Sequence, residues 1–568
     1  MKFLSWVVGL RRSDPAVAGT EATPSPAVSQ SLSGDGDKTR ALYQSGIEAL
    51  ERADFATAAR VFNEILGTRH DDAEAHNYLG LVHLRQHRLE DAADCFVMAI
   101  HFRPEFAEAH YHLARTAQLR GAHRDAITHL DRALALRQDY AGAHNALGES
   151  WLGLGDIERA VYHFERAIAI QPDYAYAHSN LGYVLLQELG DVERGIAHVE
   201  IALRIAPNDP DVRCNYTMVL LHQGRCEEAI AICDQLLTAS PDLHEARINR
   251  ALAALKLGDF ARAWPDYEAR KLGRSNYIAR NFPFAEWRGE PLAGKSVLAY
   301  AEQGIGDEIM FASCLPDLIA RAGRCGIECT PRLQALFARS FPQATVYGGI
   351  QTERNPAWLQ QLGRVDYQVA VGSLPGHFRR QLTDFPAHRG YLHADAVQVA
   401  RWRAQLEELG AGLKIGISWR GGLVSTRRAL RSIPLNEWLP VLRTSGCRFI
   451  SLQYDDCSQE IGALAEKHGI AIQHWPSAFI NFDATAALVS ALDLVISVQT
   501  AVVHLSGALG GPAWVLVPAV AEWRYLDRGS TIPWYPSLQL FRQTRRGDWS
   551  DVIEAVRTRL QSRVTTSA

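Results

Sequence analysis

A series of self-similar segments limits what this chain can fold into more than any other feature. Written at a period of 34 residues, segments beginning at residues 73, 107 and 141 align without gaps. In the first, Leu79-Gly80 fill positions 7 and 8, His83 position 11, Ala92 position 20, Phe96 position 24, Ala99 position 27 and Pro104 position 32. The segment from 141 repeats this with Leu147-Gly148, Trp151, Ala160, Phe164, Ala167 and Pro172. The one from 107 gives Leu113-Ala114, Ala117, Ala126, Leu130 and Ala133. An earlier segment from 39 supplies Gly46, Ala49, Ala58 and Phe62. A later one opens on Leu181-Gly182 and carries an extra residue near Leu189-Gly190, and two more are marked by Ala229 to Pro241 and Ala263 to Tyr267. About seven units lie between 39 and 275. Small residues at positions 8 and 20 let two antiparallel helices approach closely, and an aromatic at 24 fills the groove beside them. Proline at 32 ends the second helix. Each unit buries its apolar face only against neighbours, so residues 39–275 are expected to form an all-α superhelix with a concave face.

The joint recurrence of these small and large positions resembles the tetratricopeptide repeat family, which implies a polypeptide or protein partner on the concave face. His76, His110, His144 and His178 all fall at position 4 and form a ladder along the array. Position 4 in such repeats is commonly a partly buried packing site, and ligand or metal contact is the alternative. Asn77, Asn145 and Asn180 are candidate acceptor-binding residues, because amides lining a groove can grip an extended backbone. A bland exposed surface is the other reading of them.

With 568 residues, 47% hydrophobic and 21% charged, the chain has the composition of a protein of several globular domains, which excludes a fibrous or wholly disordered one. The net charge of −4 carries no general basic bias for nucleic acid. It hides an asymmetry, since residues 39–275 hold 25 Lys and Arg against 34 Asp and Glu, and residues 276–568 hold 30 against 25. Nine scattered cysteines without a CxxC pair read as reduced thiols of a cytoplasmic protein, and Cys325 with Cys329 lack a second ligand pair for zinc. Met1 to Leu10 is apolar but shorter than the ~20 residues of a membrane span, and no cleavage site follows it. No transmembrane segment is expected, and residues 1–38 read as a disordered lead-in.

After residue 276 the period is lost, and short β-branched runs alternate with helical stretches, the mark of parallel α/β sheets. Expected strands are 296–300, 326–329, 345–347, 367–371, 414–419, 448–453, 493–497 and 513–517, with a polar helix over 395–410. They fall into two Rossmann-like lobes, 276–411 with the linker and 412–568, facing a cleft. Gln303-Gly304-Ile305-Gly306-Asp307 leads from a strand into a helix; its glycines permit close backbone approach and the helix start favours an anion. Asp307 reads equally as an N-terminal helix residue that answers the helix dipole. Trp419-Arg420-Gly421-Gly422 and the following Ser425 to Arg431 bring Arg420, Arg427, Arg428 and Arg431 beside glycines, which suits a phosphate; a solvated basic loop is the alternative. Gln499-Thr500-Ala501 ends a further strand, with His504 one turn into a small-residue helix, poised for a phosphate oxygen or for packing.

Gly-Ile-Gly-Asp-Glu at 304–308, Gly-Ile-Ser-Trp-Arg-Gly-Gly at 416–422, the run 493–510 and the closing 533–549 resemble bacterial heptosyltransferase-type glycosyltransferases. That resemblance implies a GT-B fold that binds a nucleotide-sugar mainly on its carboxy-terminal lobe. It implies that Thr500, Ala501 and His504 meet the donor diphosphate and that Asp307 is the general base. Arg420 with one of Arg427, Arg428 or Arg431 would neutralise the leaving phosphate. No cofactor and no metal are implied: no DxD stands where a cation would bridge the diphosphate, and Asp455-Asp456 reads as a turn. Two departures stand out. Gln499 replaces the family's Asp, and the lobe at about 295–395 is short. Repeats joined to such a domain resemble instead the plan of protein O-glycosyltransferases, including flagellin-modifying enzymes. The expected activity is therefore sugar transfer to a Ser/Thr hydroxyl of flagellin or another surface protein. The alternatives are a non-catalytic scaffold with a degenerate nucleotide-binding module, and transfer to a glycan or lipid.

Overall fold

The computed structural model describes residues 36–272, 280, 282–349, 356–422 and 428–567. Most of the expected lead-in therefore lies outside the described residues, and the first helix begins at Gly36. The chain divides into two compact units, one running to Val219 and the other starting at Leu220. The last repeat helices thus belong to the same unit as the α/β half, whereas the 34-residue period grouped them with residues 39–275.

The first unit is built of antiparallel helix pairs: α1 (Gly36–Glu51) with α2 (Phe55–Thr68), α3 (Ala73–Arg85) with α4 (Leu89–Phe102), α5 (Ala107–Leu119) with α6 (His123–Leu136), and α7 (Ala141–Leu154) with α8 (Ile157–Ile170). They are followed by α9 (Ala175–Val184), a π-helical turn Leu185–Leu189, α10 (Val192–Ile205) and α11 (Pro210–His222), which crosses the boundary. The leading helices start at Ala73, Ala107, Ala141 and Ala175, in step with the period. The small-to-aromatic pairing has a direct steric basis. A Cβ added at Gly80 would lie 2.6 Å from the Phe96 ring, and one at Gly148 would lie 2.5 Å from Phe164. Phe96 and Phe164 are fully buried. The extra residue is absorbed inside a helix: Asp191 N–H donates to Leu185 O at 2.9 Å, and Gly190 closes the turn at φ +69°. Beyond it Val199 takes the buried place of the aromatic, against Gly182.

The asparagines singled out above are buried rather than displayed. Asn77, Asn145 and Asn180 are 5%, 3% and 0% exposed. Asn77 Oδ1 meets His112 Nδ1 at 2.9 Å. Asn180 Nδ2 donates to Asn145 Oδ1 at 3.0 Å and to Glu149 Oε1 at 3.1 Å, and Asn145 Nδ2 donates to Glu149 Oε1 at 3.0 Å. Glu149 also holds the buried Arg115 guanidinium, which in turn donates to Gln118 Oε1 at 2.8 Å. The amides expected to grip a peptide instead satisfy buried polar contacts that run through four repeats. The missed signal was Arg115 and Glu149, charges at positions where a buried face allows charge only in pairs.

The histidine ladder pairs across its helices. His144 Nδ1 lies 3.0 Å from His163 Nδ1, and His178 Nδ1 lies 2.9 Å from His198 Nδ1. His110 stacks on His129 at 5.9 Å between ring centroids. The Nε2 atoms of His110 and His178 face the carbonyls of Pro104 and Pro172 at 3.2 and 3.0 Å. Among the described residues no three His, Cys, Asp or Glu side chains gather as a metal would require.

The second unit starts with α12 (Cys226–Ala239), α13 (His244–Leu257), α14 (Phe260–Tyr267) and a 3-10 turn Glu268–Lys271. Two wholly parallel sheets follow. The first contains β1 (Ala285–Glu286), β2 (Ser296–Tyr300), β3 (Arg324–Cys329), β4 (Thr345–Gly348) and β5 (Tyr367–Ala370), in the order β1-β5-β2-β3-β4. The second contains β6 (Leu413–Ser418), β7 (Cys447–Ser451), β8 (Ile472–Gln473), β9 (Leu494–Val498), β10 (Ala513–Val517) and β11 (Leu538–Arg542), in the order β11-β10-β9-β6-β7-β8. Every expected strand is present to within two residues, whereas β1, β8 and β11 were not expected. The helices that matter here are α15 (Ile305–Phe311) after β2, α16 (Ala396–Glu407) before β6, α17 (Phe482–Ala491) before β9 and α18 (Ala501–Ala508) after β9. β9 and β10 are buried along their whole length, as parallel strands covered on both faces should be.

The end of the repeat array is built into this unit. Trp264 of α14 meets Trp523 and Trp534 at 6.1 and 6.5 Å between centroids, and its indole N–H donates to Arg379 O at 2.8 Å. Trp523 also stacks on Phe311 of α15. Arg270 binds Glu302, at the end of β2, with Nη2 to Oε1 at 2.6 Å.

Candidate functional site

In each sheet the strand order reverses beside one strand, and crevices for ligands form at such switch points, outside the carboxyl ends of the strands. In the second sheet the reversal lies between β6 and β9. It brings Arg420-Gly421 next to Gln499-Thr500: a Cβ at Gly421 would lie 2.9 Å from Gln499 O and 3.0 Å from Arg431 O. In the first sheet the reversal lies between β2 and β5. There Gly372 N–H donates to Glu302 Oε1 at 3.1 Å, and Gly304 starts α15. The two sheets meet through these ends: α15 packs on α18, and a Cβ at Gly306 would lie 3.2 Å from the His504 ring and 3.8 Å from Ala501 Cα. A side chain at Gly306 would therefore press on the second motif, and the His504 ring would have to give by a few tenths of an ångström.

Asp307 sits in the first turn of α15 with 13% of its side chain exposed. Its Oδ1 accepts from Arg524 Nε at 2.7 Å and also from Arg524 Nη2. Arg524 Nη1 donates to Glu522 Oε2 at 2.8 Å, and Glu522 Oε1 meets Arg431 Nη1 at 3.3 Å. A chain of alternating charge, Asp307–Arg524–Glu522–Arg431, thus runs from one sheet to the other. Burial pushes the Asp307 carboxyl above its ordinary pKa, against the opposing pull of Arg524. Arg524 and Glu522 were missed from sequence. They lie in an irregular stretch after β10 with no glycine signature, and only their approach to Asp307 marks them.

Neighbouring Glu308 is 2% exposed and turned away, accepting from Thr330 N–H at 2.8 Å and from its hydroxyl; burial raises its pKa to about 7. His504 is 6% exposed, with Nδ1 3.2 Å from Tyr535 Oη. Burial lowers its pKa to about 3, so it is a neutral imidazole, able to donate or accept but not to act as a cation. Thr500 caps α18 in extended conformation without a side-chain cap bond; its hydroxyl lies 3.1 Å from Ser497 Oγ. Gln499 is 2% exposed, and among the described residues neither of its amide atoms has a hydrogen-bond partner. Burying an amide unsatisfied costs about 1–3 kcal/mol per group, which marks Gln499 as a position that answers to something else.

The arginines of the basic loop divide. Arg431 joins the charge chain just described. Arg420 is held by acids, at 3.0 Å from Asp455 Oδ1 and 2.6 Å from Glu460 Oε2. Asp456 Oδ1 accepts from Ser458 N–H at 3.0 Å, closing a turn. Arg427 lies outside the described residues, and of Arg428 only the backbone, in the 3-10 turn Arg428–Arg431, is described.

The sequence pattern of the tetratricopeptide repeat matches residues 43–104, 185–244 and 218–277, and a related TPR repeat pattern matches 152–188. The amino-terminal region is a TPR array. "Protein FlbA" of Caulobacter vibrioides (strain ATCC 19089 / CIP 103742 / CB 15) is 35% identical over 364 residues, 61% of this chain. The chain spans 60% of the length of that curated relative. Among solved structures, the thermophilic TPR protein TTC0263 of Thermus thermophilus is 26% identical over 32% of this chain and 99% of its own, with a TM-score of 0.29. MamA of Desulfovibrio magneticus RS-1 is 19% identical over 30% and 96%, with a TM-score of 0.27. No helix among the described residues is long and apolar enough to cross a membrane.

Proposed function

We propose that the protein is a glycosyltransferase of GT-B type, acting in the cytoplasm, that moves a sugar from a nucleotide-sugar to a polypeptide hydroxyl presented by the TPR array. The observation that best supports this reading is the abutment of two parallel-sheet switch points, with Asp307 and the Gly304–Gly306 turn on one side and Thr500, Ala501 and His504 on the other. In the proposed step, a Ser or Thr oxygen of the acceptor forms a bond to the anomeric carbon of the sugar. The bond from that carbon to the phosphate oxygen breaks and its electron pair leaves with the nucleoside diphosphate, while the hydroxyl proton passes to Asp307. Thr500 and the free amides opening α18 would receive the diphosphate, beside Arg431. The amide of Gln499, which has no partner among the described residues, would meet the sugar or the phosphate.

The test incubates the full chain with ADP-, CDP-, GDP- and UDP-linked sugars and candidate surface polypeptides such as flagellin, followed by intact mass. A mass increment of one sugar on the polypeptide, lost in Asp307→Asn by roughly 10²–10⁴-fold in rate, supports the reading. A second reading has one observation in its favour: Arg420 is already neutralised by Asp455 and Glu460. Nucleotide binding without hydrolysis or transfer across the whole panel would make the protein a scaffold that senses nucleotides. Sugar found only on glycans or lipids would reassign the acceptor.

A further inference from the structure

We propose that Arg524 is an exchangeable anchor: it pairs with Asp307 until a donor diphosphate takes it over, releasing Asp307 for the acceptor only once the donor is bound. The proposal rests on the donor reading given above. Its basis is how the charges are arranged. Two cations and two carboxylates alternate in the order Asp307, Arg524, Glu522, Arg431, so among the described residues each cation of this chain already faces a carboxylate. Both Arg524 contacts fall on Oδ1 of Asp307, and no described residue donates to Oδ2. The pair links the two sheets, Asp307 opening α15 and Arg524 following β10, and its side chains are only 13% and 16% exposed. Arg524 also lies over the Trp523 ring, 4.7 Å from its centroid, which holds the guanidinium in place whichever anion it meets.

The exchange follows from ordinary electrostatics. A guanidinium offers parallel N–H groups that suit a phosphate as well as a carboxylate, and a diphosphate carries more charge than a single carboxylate. A base paired with a guanidinium is also a weak base. Freed from its partner in a site that excludes water, the same carboxylate takes a proton more readily. Arg524 is therefore a positioning residue: it links occupancy of the donor subsite to the availability of the base. Glu522 completes the device by holding Arg431 and Arg524 at one carboxylate, so that both cations reach a single anion.

Calorimetric titration of the full chain with inorganic pyrophosphate and with ADP, CDP, GDP and UDP tests this. Removing the competing carboxylate in Asp307→Asn is expected to tighten binding roughly tenfold, and Arg524→Gln to weaken it roughly tenfold, about one charge-assisted bond in each case. Arg524→Lys should recover part of the loss. In the double variant the Asp307→Asn gain should vanish, because the cation it frees is gone. A purely structural pair would predict the reverse for Asp307→Asn, with binding unchanged or weakened. That result, or a gain that persists in the Arg524→Gln background, overturns the proposal while the donor reading stands. If the wild-type chain binds none of the five probes at millimolar concentration, the donor reading falls and the proposal falls with it. Thermal melts of each variant show whether a change in binding reflects loss of fold.

Discussion

The Arg115–Glu149 pair makes the sharpest claim about what holds the array together. Arg115 is 1% exposed and Glu149 4%. Besides Arg115, the Glu149 carboxylate accepts from Asn145 at 3.0 Å and from Asn180 at 3.1 Å. Glu149→Leu removes one acceptor from each of the three and takes the Glu149 charge away from a buried guanidinium. Breaking one half of a buried pair costs about 3–5 kcal/mol. The Asn145 amide, which loses its acceptor, adds about 1 kcal/mol or more, and partial relaxation offsets some of this, so a net loss of about 4 kcal/mol is expected. Because each repeat rests only on its neighbours, the loss should be local. Hydrogen exchange on the intact chain should show amide protection across 107–184 falling by about a thousandfold, at roughly tenfold per 1.4 kcal/mol. Protection in the β9 and β10 strands should stay as it was. The decisive comparison is Arg115→Met with Glu149→Leu, since apolar residues of similar volume often replace a buried pair at little cost. The double variant should recover to within about 1.5 kcal/mol of the parent. A single variant that loses less than about 1 kcal/mol, or a double variant as damaged as the sum of its parts, would refute the reasoning.

The other tests concern pH and the join between repeats and sheets. Glu308 carries a raised pKa of about 7, so the folded chain keeps a proton that the unfolded chain releases above its ordinary carboxyl pKa of 4.5. Stability is therefore lost as pH rises from 4.5 to 7. Glu308→Gln should raise stability relative to wild type by up to about 3 kcal/mol at pH 8 but not at pH 4; a gain independent of pH would reject the assignment. His163 and His198 are held at about 4 by burial and then by their partners His144 and His178. The folded state thus binds fewer protons, and stability present above pH 6.5 should drain as pH falls towards 4. Replacing both by Gln should flatten that acid limb in a melting series. Trp264→Ala should destabilise the carboxy-terminal unit by about 3–5 kcal/mol in denaturant titrations. A chain begun at 220 should express as a folded protein where one begun at 282 does not; equal behaviour of the two would show that Trp264 and Arg270 are ornamental.

Much of this architecture could be read from the residues, for identifiable reasons. The helix pairs were legible because Gly80 with Phe96 and Gly148 with Phe164 are steric pairs separated by a fixed interval, and nothing but close helix contact needs them. The strands were legible where burial on both faces forces an unbroken apolar run, as in β9 and β10. β1 and β8, of two residues each, leave no such run, and β11 falls within the closing motif 533–549 rather than reading as a strand. At the candidate site, Asp307, Thr500 and His504 could be singled out from local turns. Their real neighbours could not, because Arg524 lies 217 positions from Asp307 and pairs with it only through the meeting of two sheets. The asparagines show the converse error: a polar residue recurring on one helix face looks like a display, and only the buried charge at Glu149 shows what it serves.

The π-helical turn at Leu185–Leu189 has a consequence for how such an array can change. A repeating stack behaves like a one-dimensional crystal, in which one surplus residue is a dislocation that would shift the phase of everything beyond it. Here the defect heals within a single turn: Gly190 and Asp191 bring the chain back, and Val199 falls into the slot the lattice requires. Single-residue insertions in the leading helices are thus a form of variation this array can carry without losing coherence, whereas insertions at the tight turns between helices would have no turn in which to heal.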